Sequence, residues 1–242
     1  MIDPQKYGDT INRRREAWER KFAKRLREYF RLERAAVLEA LKADVDYAIA
    51  INGVSKKLED IYLYYYVKVY RDFASSTYKT NMDARTFAEI LVAYDDAVKP
   101  FIDRIGEKIV AINAVTMGRI QKAIEKGRAN RGTIADVQNA ILDEVNAEFK
   151  SMSASRALTI ARTEVGSLSS FGQLESFRQS GFKKKQWNSI NSPITRDSHA
   201  ALDGETVEIN SKFSNGLMQP LDPNGEAAEI INCRCSLIPI VE

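Results

Sequence analysis

The sequence holds a single histidine, His199, and only two cysteines, Cys233 and Cys235, in 242 residues. Two cysteines one residue apart cannot build an ordinary disulfide framework, because a Cys-x-Cys bridge is strained. Synthesis in a reducing cytoplasm is therefore expected. No run of about 18 apolar residues exists, which excludes a transmembrane helix. The first residues, MIDPQKYGDTINRRREAW, lack the apolar segment of a secretory signal. A Gly-rich phosphate loop, a GxSxG elbow and an HExxH pair are all missing, so the enzyme classes they mark find no support. There is no internal repeat. Net charge is small, at +3.

What is present is unevenly distributed. Residues 151–242 hold nine Lys/Arg against ten Asp/Glu, so the positive excess lies in the first 150 residues. Between Arg13 and Arg34 there are ten basic and four acidic residues, a local basic arm rather than a basic protein. Hydrophobic residues at 44% and charged residues at 29% suit a water-soluble chain with a sizeable core, in one large domain or two small ones.

Residues 10–43 read as one long amphipathic helix. Trp18, Phe22, Arg25/Leu26, Tyr29, Leu32/Glu33 and Ala36/Val37 recur at three- and four-residue steps with no Gly or Pro between them. Such a helix would reach roughly 45–50 Å. Its cations Arg13, Arg14, Arg15, Arg20, Lys21, Lys24, Arg25 and Arg27 have two readings: a solvated face laced with Glu–Arg and Glu–Lys pairs, or a contact for double-stranded DNA or an acidic partner. Asn52-Gly53 predicts a break, with Ser55 capping a second helix to about Lys79. This helix carries six of the ten tyrosines (Tyr62, Tyr64, Tyr65, Tyr66, Tyr70 and Tyr78), for packing inside the chain or for a subunit contact. Further helices are expected from Asn81-Met82-Asp83 to Lys99, from Pro100 to Gly127, from a Thr133/Asp136 cap to Phe149, and from Ser153 to Gly181.

At Phe182 the pattern changes. Lys183–Ile190, the alternating ETVEI after Gly204, and CRCSLIPI from Cys233 to Ile240 read as three short antiparallel strands, with a Pro/Gly/Asn-rich loop before the last. The expected fold is mainly α with a small C-terminal α+β module: long helices over 10–180 and strands within 183–242. A helical N-terminal region, 1–150, precedes a C-terminal domain, 151–242, made of a helix over 154–180 and the β-rich module.

Most of the rare residue types fall between Trp187 and Cys235, so any site is expected there. His199, Cys233 and Cys235 are the residue types of a zinc set, with Asp197 or Asp203 as a fourth ligand. The single residue between the cysteines falls short of the usual two to four, so we expect no metal and read the thiols as small buried side chains on a strand. Arg196, Asp197, His199 and Asp203 lie close enough in sequence to raise catalysis, and a Cys–His nucleophile is the other form it could take. A lone histidine in a turn-rich loop is more often a hydrogen-bonding staple, so no catalytic residue and no cofactor is expected. Asp203-Gly204 reads as the turn into ETVEI. Arg162, Glu164 and Arg196 are expected to form an ion-pair knot between helix and module.

A resemblance rests on these residues taken together. ARTE at Ala161–Glu164, the glycine turn at Gly181, Lys185-Gln186-Trp187, Arg196, His199, Ala201-Leu202-Asp203-Gly204, Phe213, Pro220 and Asn232-Cys233-Arg234-Cys235 follow one another in the order and spacing of the phage Mu F-like minor head (phage head morphogenesis) proteins. The likeness covers about residues 150–240. One departure stands out. Such proteins commonly have acidic residues between the tryptophan and the arginine, where this chain reads NSINSPIT; that points further toward a structural role.

The resemblance implies a virion protein of few copies per head, made in the host cytoplasm, oligomeric at the portal vertex and acting in head morphogenesis, DNA packaging or ejection. Its implied partners are the portal protein, scaffold or major capsid protein, and double-stranded DNA, with no membrane. Some such proteins carry a toxin or enzymatic domain after this module; here Glu242 lies seven residues past the Cys-Arg-Cys motif, so none is expected. Two other readings stay open: a nucleic-acid-binding protein built around the basic helix, and a nuclease-like enzyme centred on His199.

Overall fold

The structure, a computed structural model, describes residues 3–75, 97–130, 132–190 and 192–240. Helices dominate: α1 (Pro4–Lys42), α2 (Tyr47–Ala74), α3 (Ile105–Arg128) and α4 (Ile134–Gln179). After them come β1 (Lys184–Asn188), α5 (Asp197–Ala201), β2 (Thr206–Glu208), α6 (Ala227–Ile230) and β3 (Ser236–Ile240). The expected class, long helices followed by a small antiparallel sheet, is what forms. Among the described residues no helix is long and apolar enough to cross a membrane.

Helix ends follow local chemistry. α1 starts earlier than the periodicity suggests because Asp3 caps it, its Oδ1 accepting from Lys6 N at 3.0 Å, with Pro4 in the first turn where a missing N–H costs nothing. α2 begins at Tyr47, capped by Asp46 through Ala48 N at 2.8 Å. It runs straight through Asn52-Gly53, so the expected break there does not exist; tertiary burial of Ile51 and Leu58 outweighs the low helix propensity of Gly. Ser55 is no cap but a mid-helix hydroxyl bonded to Ile51 O at 3.0 Å. Tyr78, the end of the tyrosine helix at Lys79 and the helix predicted from Asn81 to Lys99, apart from its last three residues, which are helical, fall outside the described residues. Pro100 sits inside a helical stretch, and the chain turns at Arg104 instead.

Thr133 and Asp136 make the expected capping box: Asp136 N donates to Thr133 Oγ1 at 3.2 Å and Thr133 N to Asp136 Oδ2 at 2.9 Å. The helix they open does not stop at Phe149, nor does another start at Ser153. α4 is continuous over 46 residues, since nothing between 133 and 165 is Gly or Pro. Gly181, at φ +78°, closes it with Gly181 N to Arg178 O at 3.1 Å and Phe182 N to Phe177 O at 3.1 Å, the paired bonds of a Schellman turn. Gly127 has another use than the helix stop read from sequence: a Cβ there would sit 2.6 Å from the Ile141 Cα, so only glycine lets α3 approach the backbone of α4.

The chain divides into two compact units, and both are discontinuous, unlike the sequence division at residue 150. One combines 1–21, 65–99 and 159–242; the other combines 22–64 and 100–158. The second unit is helical, with a core that includes Val37, Ile51, Ile120, Val145, Phe149 and Met152. The first holds the sheet, in the order β2-β1-β3, with Lys185 opposite Val207 on one side and Pro239 on the other. Its core gathers Leu174, Phe177, Trp187, Phe213, Leu221 and Leu237 around the two cysteines. Of the described tyrosines of α2, Tyr62, Tyr65, Tyr66 and Tyr70 are buried, while Tyr64 is 55% exposed. Packing inside the chain therefore accounts for four of these rings.

Candidate functional site: a buried histidine–cysteine cluster and its arginine frame

The site lies in the first unit, where β1, the short helix α5 and the approach to β3 meet. Gly204, at φ +81°, makes the turn predicted for it: Gly204 N donates to Trp187 O and Trp187 N to Glu205 O, both at 2.9 Å. Asp203 accepts from Ser189 N at 2.7 Å, which ties the end of β1 to that turn. Trp187 is fully buried and meets His199 and Phe213 edge-on, with ring centroids 5.4 and 5.2 Å apart.

His199 is buried with both ring nitrogens engaged. Its Nε2 lies 2.8 Å from Glu229 Oε2 on α6, and its Nδ1 lies 3.4 Å from Cys233 Sγ and 3.5 Å from Cys235 Sγ. Glu229 accepts from Nε2 and so orients the ring with Nδ1 facing the two sulfurs. Ser189 Oγ adds a contact to Cys235 Sγ at 3.5 Å and donates to His199 O at 2.6 Å. The hydrogen bond from Cys233, with others from His199 and Ser189, pulls the Cys235 thiol down to about 5. Cys233 is pushed well above its ordinary value by Cys235 and by burial, and His199 is raised, first by Cys235 and then by Glu229. Asp197 and Asp203, the fourth ligands considered from sequence, are both exposed and outside this cluster. A cavity of about 30 Å³, room for a water molecule or an ion, adjoins the three side chains and is also lined by Thr195, Arg196 and Asn232.

An arginine frame surrounds the cluster. Arg15, only 1% exposed, donates through Nη1 to Cys235 O at 2.7 Å, through Nη2 to Ser170 Oγ at 2.8 Å and through Nε to Ser169 Oγ at 2.5 Å. Burial lowers its pKa to about 10. Glu19, 2% exposed, takes Arg234 in a two-point bridge at 2.6 and 2.9 Å, with Arg162 Nε at 3.7 Å. The expected knot of Arg162, Glu164 and Arg196 is thus differently composed. Glu164 accepts from Tyr66 Oη, Arg196 donates to Ile231 O at 2.6 Å, and the carboxylate that gathers the arginines is Glu19. Asn232, at φ +60°, positions the Cys-Arg-Cys segment by bonding to Thr163 Oγ1 through its N–H at 3.2 Å.

The basic arm is divided by this arrangement. Arg15 belongs to the buried frame and is no candidate for DNA. Arg14 lies 3.1 Å from Asp72 and over the ring of Phe73, and Lys21 sits over Trp18. Arg25 pairs with Glu28 at 2.8 Å, and Arg27 is half-buried. Arg13, Arg20, Lys21, Lys24 and Arg25 remain at the surface. Sequence reasoning singles out neither Glu19, Glu229 nor Ser189. Glu19 has a signal, since it continues the apolar stripe of α1 one turn back from Phe22.

Comparison with known proteins bears on the same stretch. The family model described as Phage Mu protein F like protein matches residues 111–238, more than half of the chain. The uncharacterized protein YqbB of Bacillus subtilis is 34% identical over 133 residues, covering 51% of this chain and 40% of its own length. An Enterococcus faecalis protein named NAD(+)--arginine ADP-ribosyltransferase EFV is 32% identical over 114 residues, covering 45% of this chain and 22% of its own. The chain thus matches less than half the length of either relative. No solved structure matches it. On the extent of the family match, the chain belongs to the phage Mu protein F like family.

Proposed function

We propose that this chain is a minor head protein of a phage particle, acting in head morphogenesis at the portal vertex and in packaging or ejection of DNA, with no catalysis of its own. The observation that carries the reading is the family match over residues 111–238, which runs through the histidine–cysteine cluster and its frame. The chemistry of the cluster supports it. Trp187, His199, Asp203, Arg234 and the cysteines are tied to one another or to the backbone, and the adjoining space of about 30 Å³ cannot admit an organic substrate. These residues specify the shape of a module. The transferase named among the relatives shares only 22% of its length with this chain, and its activity stays with that protein.

The test is to fractionate lysate from cells producing the source phage and quantify the chain against portal protein by mass spectrometry. A low, fixed ratio in procapsids and in mature heads is expected. A chain that stays in the soluble fraction and is absent from particles overturns the proposal.

The surface cations of α1 supply the second observation, since DNA or an acidic face of the portal would be held by them. Reversing Arg13, Arg20, Lys24 and Arg25 to glutamate should leave helicity intact, because all four are exposed. Binding to portal or to duplex DNA should weaken. For DNA, each cation withdrawn from a phosphate should lower the slope of log affinity against log salt by about 0.9. Unchanged affinity and slope would reduce the arm to a solvated face.

A further inference from the structure

We propose that His199 Nδ1, Cys233 Sγ and Cys235 Sγ bind one thiophilic divalent metal ion of the zinc class, with water from the adjoining cavity as fourth ligand. The inference does not depend on the head-protein reading.

Three independent features of the cluster point to it. The first is distance. A tetrahedral zinc with bonds of roughly 2.3 Å to sulfur and 2.05 Å to nitrogen sets its S···N edges at roughly 3.6 Å. The two edges here are 3.4 and 3.5 Å, and the three ligand atoms all lie within 4.8 Å of one another. An ion could therefore enter with little movement of the chain.

The second is the way the sequence presents its ligands. A Cys-x-Cys spacing is short for a metal knuckle built on a turn, but in extended backbone alternate side chains share a side. Cys233 and Cys235 both reach His199, while Arg234 between them reaches Glu19. The spacing that argues against a metal in the sequence is the one that this run into β3 requires.

The third is the surrounding chemistry. Glu229 on Nε2 is the carboxylate that metal-bound histidines commonly carry; it fixes the ring and leaves the other nitrogen free to ligate. Two thiolates and a neutral imidazole on a divalent cation sum to zero charge, which suits a site whose three ligand residues are all buried. Arg15, hydrogen-bonded to the Cys235 carbonyl, adds positive potential that favours the thiolate form. The cavity beside the three ligands offers the space a water ligand needs, with Thr195 and Asn232 on its wall to accept or donate hydrogen bonds.

The site would join two segments 34 residues apart, α5 through His199 and the approach to β3 through the cysteines, with Glu229 on the adjoining α6 steadying the histidine. Its role is that of a clasp on the module, since the cavity beside it has room for a water molecule and not for an organic substrate.

The full chain, purified without a polyhistidine tag and under a non-chelating reductant, is the material for the test. Mass-spectrometric metal analysis should find close to one zinc per chain. After chelation, cobalt(II) should restore binding with a thiolate-to-cobalt charge-transfer band and tetrahedral visible bands. Cys233→Ser and Cys235→Ser should each weaken that band, and Glu229→Gln should retain it while lowering affinity about 10–100-fold. Zinc should raise the thermal midpoint of the chelated chain. If a cysteine variant does not fold, the wild-type cobalt titration decides alone. A cooperatively folding wild-type chain with no bound metal above background and no charge-transfer band overturns the proposal.

Discussion

Glu19→Ala should lower the stability of the protein by about 3–5 kcal/mol, the cost of leaving buried charge without its partner. In a chain of this size that is a fall in melting temperature of roughly 6–20 °C. Glu19 is almost wholly enclosed, accepts both terminal nitrogens of Arg234 and lies within ion-pair range of Arg162. Arg15 sits one turn earlier on the same helix and is itself buried. Removing the carboxylate therefore strands a cluster of cations rather than one, and the half-buried guanidinium of Arg234 cannot regain full hydration without moving the Cys-Arg-Cys segment. Glu19→Gln, which keeps the shape and one acceptor, should lose less. Thermal and urea melts of both variants check this. An alanine variant within about 1 kcal/mol of the parent would mean that Arg234 turns to solvent at no cost and that the bridge contributes orientation only.

The second large effect depends on pH. Glu33 on α1 is fully buried in the helical unit; Tyr29 Oη donates to its Oε1 at 3.3 Å, while Oε2 has no hydrogen-bond partner among the described residues. Burial raises its pKa from 4.5 to about 7, with Arg156 and Tyr29 opposing the rise only in part. A raised folded-state value means that the folded chain keeps a proton the unfolded chain gives up. Its contribution to stability is therefore complete below about pH 4.5 and is lost as pH rises to about 7, where it levels off. Glu33→Gln removes this titration. The variant should match the parent near pH 4.5 and exceed it above pH 7 by up to about 3 kcal/mol. Urea unfolding of both chains at about pH 5 and about pH 8 measures the difference directly. A difference that does not change between the two would mean that Glu33 is ionised in the fold throughout, held by Arg156.

Much of the architecture is legible because its signals are local. The Thr133/Asp136 capping box, the glycine at 181 and the Asp203-Gly204 turn each act within a few residues, and each forms as read. The readings that fail weigh a local signal against burial that the sequence does not display. Asn52-Gly53 reads as a break, yet it is carried inside α2 by the packing of its neighbours, and no residue between Phe149 and Ser153 has the chemistry to stop a helix. At the site, the motif residues can be identified from sequence but not their partners. Arg15 reads as one more cation of a basic arm, although its acceptors Ser169, Ser170 and Cys235 lie more than 150 residues away. Charge patterning cannot distinguish a surface arginine from a buried one. The stripe does: Arg15, Glu19 and Glu33 occupy the buried positions of α1, and a charged residue on an apolar stripe announces a partner elsewhere.

The bond from Arg15 to the Cys235 carbonyl also orders events in time. During synthesis Arg15 leaves the ribosome 220 residues ahead of its acceptor on Cys235. The helical unit, whose last residue is Leu158, is complete in sequence well before that. At roughly 5–20 residues per second, several seconds separate the two. Through that interval α1 carries a guanidinium whose set of acceptors, Ser169, Ser170 and the Cys235 carbonyl, is still incomplete. Closure of the arginine frame cannot precede the emergence of the Cys-Arg-Cys segment, which makes that segment the latch by which a nascent chain becomes a finished one.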